Sequence, residues 1–75
     1  MLSVSKYLKN WNMGEEFISV VLLSDGTKWV RWVWHDGGEE FEEYLKVETA
    51  AQELEEYYKH DDLAVLIRGY QARET

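Results

Sequence analysis

The chain has 75 residues, no cysteine and no proline, and 15 Asp and Glu against 8 Lys and Arg, for a formal charge of −7. That length provides one small domain, and a chain this short buries only roughly 63% of its surface on folding. The missing cysteines exclude disulfides and thiolate zinc sites, and the acidic balance argues against direct binding of nucleic acid or of anionic membranes, which need a basic face.

Four Trp, five Tyr and two Phe are the main source of core, since each aromatic side chain can bury roughly 150–250 Å². No apolar run approaches the ~20 residues that span a bilayer. Met1-Leu2-Ser3 opens no signal peptide, having neither a basic stretch nor an apolar one behind it. A cytoplasmic protein is expected.

In chain order, Val4, Tyr7, Leu8 and Trp11 stand at i, i+3, i+4 and i+7, which predicts a short helix. Ser3 is its expected N-cap, and Asn12 and Gly14 its stop. Phe17 to Leu23 is apolar on both faces and rich in β-branched residues, the pattern of a central strand. Asp25-Gly26 then signals a hairpin. Lys28 to Trp34 is the second strand, with Val30, Trp32 and Trp34 on one face and Trp29, Arg31 and Val33 on the other.

Gly37-Gly38 marks the next turn. Residues 39–47 read as a strand with Phe41, Glu43, Leu45 and Val47 inward and Glu40, Glu42, Tyr44 and Lys46 outward. A helix would also align Phe41, Tyr44 and Leu45. The strand is preferred because Thr49-Ala50-Ala51-Gln52 resembles a capping box that opens a new helix. That helix is expected from about Ala50 to Lys59, burying Ala51, Leu54, Tyr57 and Tyr58. Asp61-Asp62 ends it, Leu63 to Ile67 is a last strand, and residues 70–75 form a frayed tail.

The expected fold is therefore α+β, a single domain over residues 1–75 in the order α-β-β-β-α-β. Its antiparallel sheet carries helices on one face. Double-stranded RNA-binding domains share a similar element order, but they present a basic surface that this chain lacks.

Charge is concentrated in one segment. Residues 36–62 hold eleven acids and two bases, a net −9, while the remainder carries +2. A solvated helix face and an edge strand defended by charge are one reading. The sharper one is an anionic surface for a cationic partner, because like charges at this density cost a small domain stability. Its candidate residues are Glu39, Glu40, Glu42 and Glu43 on the strand and Glu53, Glu55 and Glu56 on the helix. Carboxylates two residues apart on a strand stand roughly 6.8 Å apart, about the rise of two steps along one DNA strand.

With its 75 residues, no Cys, no Pro and the Glu39-Glu40-Phe41-Glu42-Glu43 run, the chain resembles the small acidic inhibitors encoded by phages and mobile elements, of the anti-CRISPR and anti-restriction kinds. The resemblance lies in the whole-chain profile and carries over no residue. It implies a non-enzymatic, cytoplasmic inhibitor, in the host cell if phage-encoded. Such a protein occupies the basic surface of a nucleic-acid-processing complex, as a DNA mimic can.

The aromatic strand gives the alternative. Trp29, Arg31 and Tyr44 fall on the face away from the helices, where they would serve a protein partner or a homo-oligomer. A monomer or a homodimer is expected.

His35-Asp36 and His60-Asp61-Asp62 are the two His-acid groupings, and neither has the spacing of a known metal site. The serines have no recognisable base beside them, and no glycine loop resembles a phosphate cradle. No enzyme activity, metal or cofactor is expected.

Overall fold

The computed structural model describes residues 2–72. The element order is β1 (Val4–Asn12), β2 (Glu16–Leu23), β3 (Lys28–Asp36), β4 (Glu39–Leu45), α1 (Val47–Glu56) and α2 (Asp61–Ala72). The strands form one antiparallel meander, β1-β2-β3-β4. Both helices pack on the same face of it, as expected.

Two elements differ from the sequence expectation. The predicted first helix, with its Ser3 cap, is strand β1. Its register against β2 shifts twice, between Val4 and Lys6 and between Tyr7 and Lys9. A bulge adds one residue and so stretches the period of two locally to three. Val4, Tyr7 and Asn10 thereby share one face, opposite Leu23, Val21 and Ser19, and Leu8 and Trp11 pack toward the helices. A twice-bulged strand thus imitates helical spacing.

The predicted last strand is the first half of α2. Ala64 and Ile67 are buried, with Leu63 and Tyr70 packed beside them, the spacing of a helix face. Asp61 and Asp62 do not break structure but occupy the first turn of α2, where carboxylates favour the positive end of the dipole. The helix runs on through residues taken for a frayed tail as far as Ala72, and residues 73–75 lie outside the described part. The order is therefore ββββαα, and the likeness to double-stranded RNA-binding domains lapses with it.

Helix α1 starts earlier than expected. Lys46 precedes it without a side-chain cap, so Thr49 lies inside the helix and forms no capping box. Val47, Ala50, Ala51 and Leu54 are its buried residues. Tyr57 instead lies past its end at 74% exposure, and Tyr58 is also exposed. Lys59 adopts a left-handed φ of 58°, and the His60 N–H then reaches the Leu54 carbonyl at 2.8 Å. This closes α1 before α2 begins.

Turn chemistry fixes the sheet. Gly37 and Gly38 have φ of 60° and 81°, the pair of positive values that a two-residue hairpin of matching twist requires. In the β2–β3 turn, Asp25 Oδ1 accepts hydrogen bonds from the Thr27 N–H at 3.0 Å and the Thr27 hydroxyl at 2.5 Å. Gly26, with φ 86°, has open space where a Cβ would stand. Gly26→Ala is expected to cost about 1–2 kcal/mol from conformation alone, measured as a lower urea midpoint at unchanged slope.

The core joins Ile18 and Val20 of β2, Val30 and Trp32 of β3, Val47, Ala50, Ala51 and Leu54 of α1, and Ala64 and Ile67 of α2. The Lys28 ammonium donates to the Tyr70 carbonyl at 2.8 Å, satisfying a carbonyl in the last turn of α2.

Candidate functional site

Edge strand β4 pairs with β3 so that Phe41, Glu43 and Leu45 stand opposite Trp34, Trp32 and Val30, on the helix side. Glu40, Glu42 and Tyr44 stand opposite His35, Val33 and Arg31, on the helix-free side. The predicted alternation of β4 is thus seen over residues 39–45, while Val47 belongs to α1 and is buried there. Alternation also divides the four candidate glutamates of β4 between two sides of the sheet, while Glu53, Glu55 and Glu56 stand on α1.

On the helix-free side the two acids of β4 lie against side chains of β3. Glu42 Oε2 accepts from Arg31 Nε at 2.6 Å, and Glu40 Oε1 lies 3.2 Å from His35 Nε2. Glu39 stands opposite Asp36 beside the Gly37-Gly38 turn, so two like charges meet at the hairpin end.

On the helix side, Glu43 and Glu53 converge. With Glu16 they line a recess of about 130 Å³ whose other walls are Trp32, Trp34 and Tyr58. The recess follows from the fold. Antiparallel pairing sets Glu43 beside Trp32 and Glu16 beside Trp34, and α1 crosses above with Glu53 half-buried. Trp32 Nε1 donates to Glu16 Oε1 at 2.7 Å, and Tyr58 lies 5.4 Å from the Trp32 ring. Phe41 stacks on Trp34 at 5.7 Å. Burial, with the Glu16 and Glu53 carboxylates close by, pushes the Tyr58 hydroxyl above its ordinary value. Three carboxylates over aromatic walls make a setting for a cation, because ring faces and carboxylates attract positive charge together. No basic side chain lines this recess among the described residues.

Glu55 has a different role. Its two oxygens accept from Arg68 Nη1 and Nη2 at 3.0 and 2.8 Å, and Glu48 accepts from Arg68 Nε at 2.6 Å. The guanidinium of α2 thus clamps two carboxylates of α1. Its hydrogen bond to Glu55 holds that carboxyl below the ordinary value of 4.5. Such a group stabilises the fold above its unfolded pKa and stops doing so as pH falls through its lower folded value. Stability is therefore expected to fall with pH through and below the carboxylate range. Arg68→Met should make that fall shallower, read from urea midpoints across the range. Glu56, the last residue of α1, is exposed.

Trp29, Arg31 and Tyr44 do share the helix-free face, and Trp29 Nε1 donates to Thr27 Oγ1 at 3.0 Å. Tyr7 and Phe17 join them there, and both were missed. Tyr7 was assigned to a helix, and Phe17 was read only as part of an apolar run. Glu16, Trp32 and Tyr58 were not read as a site either, because only pairing across strands brings them together.

His35 and Asp36 line one recess with Glu15 and Phe17, whereas His60, Asp61 and Asp62 line another with Trp11 and Leu66. The two His-acid groups are thus in separate places, and no cluster of three potential metal ligands occurs among the described residues. No helix among them is long and apolar enough to cross a membrane.

No protein-family model, curated protein or solved structure matches the chain.

Proposed function

We infer that the chain is a non-enzymatic inhibitor that binds a basic protein surface through its β4–α1 edge and keeps nucleic acid from that surface. The observation that carries this reading is the recess where Glu16, Glu43 and Glu53 meet over Trp32, Trp34 and Tyr58. A lysine or arginine side chain of the partner enters it, with the cation between the carboxylates and its stem along the rings.

Glu39 and Glu56 extend the negative field on either side and steer encounter. Charge concentrated in this way suits a groove that ordinarily holds phosphates. The reading makes the chain a partial DNA mimic of the kind that phages and mobile elements use against CRISPR and restriction complexes, acting in the host cytoplasm and needing no cofactor.

Competition tests it. A nucleic-acid-binding partner recovered on the tagged chain is loaded with labelled DNA or RNA, and added chain displaces the label, less effectively as salt rises. A partner that keeps its label with the chain bound contradicts the reading.

A further inference from the structure

The two faces of the sheet are finished differently. Both helices cover the face of Ile18, Val20, Val30 and Trp32. The opposite face has no helix over it among the described residues, and it carries apolar side chains toward both ends, with Asn10, Ser19, Arg31 and Glu42 between them. Val21, Leu23 and Val33 are buried in it, and Tyr7, Phe17 and Tyr44 stand exposed on it. At one end, Leu2, Val4, Leu23, Trp29 and Tyr44 surround an apolar recess of about 320 Å³. At the other end, Phe17 is 39% exposed, its ring edge-on to His35 at 6.3 Å. Phe17 and Leu23 lie on the same strand, six residues and roughly 20 Å apart.

We propose that this face is the interface of a homodimer in which Phe17 of each protomer enters the Leu2–Trp29–Tyr44 recess of its partner. The geometry allows it. A two-fold axis between the faces, running across the strands, exchanges the two ends of the sheet. It brings each ring over the opposite recess, a self-complementary contact made twice.

Charge selects a second copy over a basic partner. Arg31 already opposes Glu42 on this face, and Glu40 lies against the His35 ring. Glu43 and Glu53 lie on the other side. Two chains of −7 therefore meet here with less repulsion than across the Glu16–Glu43–Glu53 recess, and a cationic partner finds Glu42 already held by Arg31. The area suffices as well. Four strands about 4.8 Å apart and about 30 Å long offer a footprint of roughly 570 Å² on each copy, so a pair clears the ~1,000 Å² of a specific interface.

Sedimentation velocity of the full chain, from low to high micromolar concentration and at low and high salt, tests the proposal. The native chain is expected to dimerise. High salt should leave the dimer intact or favour it, because screening relieves the repulsion between two acidic protomers. Phe17→Ser is expected to be monomeric with an unchanged circular dichroism spectrum. Val4→Glu, which sets a carboxylate at the rim of the recess, is expected to be monomeric too.

A variant with Glu39, Glu43, Glu53 and Glu56 changed to Gln dimerises like the native chain, so failure of this proposal and failure of the inhibitor reading are separate results. A native chain that stays monomeric at high micromolar concentration overturns the homodimer. So does undiminished dimerisation of both Phe17→Ser and Val4→Glu. A monomer that binds a different protein and releases it on Phe17→Ser also overturns it, and assigns the face to that protein.

Discussion

Leu54→Ala is expected to remove about 2–5 kcal/mol of stability, the range for a leucine whose cavity the core cannot fill by collapse. Leu54 is 0% exposed and belongs to the cluster in which both helices meet the central strands β2 and β3. Its neighbours there are short or stiff: Ala50, Ala51 and Ala64 have no side chain to extend, and Val20, Val30 and Val47 are β-branched. The cavity therefore stays open. A domain of this size has on the order of 4–11 kcal/mol in all, so the loss takes a large share. A urea titration reads it as a lower midpoint at unchanged slope. A cost under about 1 kcal/mol would mean that Leu54 does not join helices to sheet as described.

The second large effect concerns the anionic edge. Changing Glu39, Glu43, Glu53 and Glu56 together to Gln is expected to weaken binding to the basic partner on the order of 100-fold, chiefly by removing charge from the recess and from its approach. Shape and hydrogen-bonding capacity are nearly kept. None of the four takes part in an ion pair among the described residues. The fold therefore loses nothing that Glu42 or Glu55 supplies through Arg31 and Arg68. Relief of repulsion, above all where Glu39 faces Asp36, should leave stability equal or higher. Calorimetry against the partner and a urea titration of the variant alone measure the two halves. Lost affinity together with lost stability would point to a structural role for these carboxylates.

The middle of the chain was legible because its signals are local. Asp25-Gly26 and Gly37-Gly38 mark hairpins whatever surrounds them, and the alternation of Val30, Trp32 and Trp34 against Trp29, Arg31 and Val33 is the alternation observed. The two ends were misread because periodicity decided the reading there, and the capping and breaking residues were read to match it. Two bulges give Val4, Tyr7, Leu8 and Trp11 the spacing of a helix. Leu63 to Ile67 is too short an apolar run to separate strand from helix, and the helical face shows only when Ile67 is read with Tyr70 in the turn beyond the run.

The site was legible as composition and hidden as geometry. The acidic segment is plain in the sequence, but which of its carboxylates are free depends on partners far along the chain. Arg31 takes Glu42 across a strand pair, and Arg68 takes Glu55 from thirteen residues away. The helix-free aromatic face was visible through Trp29, Arg31 and Tyr44. Phe17 and Tyr7 could be placed on it only once the register of β1 and β2 was known.

Capture on the tagged chain from bacterial lysate, at low and moderate salt and beside the four-Gln variant, tests the account most directly. The account predicts that the native chain recovers a nucleic-acid-binding protein or complex, that salt weakens the recovery, and that the variant recovers little of it. Equal recovery of the same partner by both chains, unaffected by salt, would contradict it.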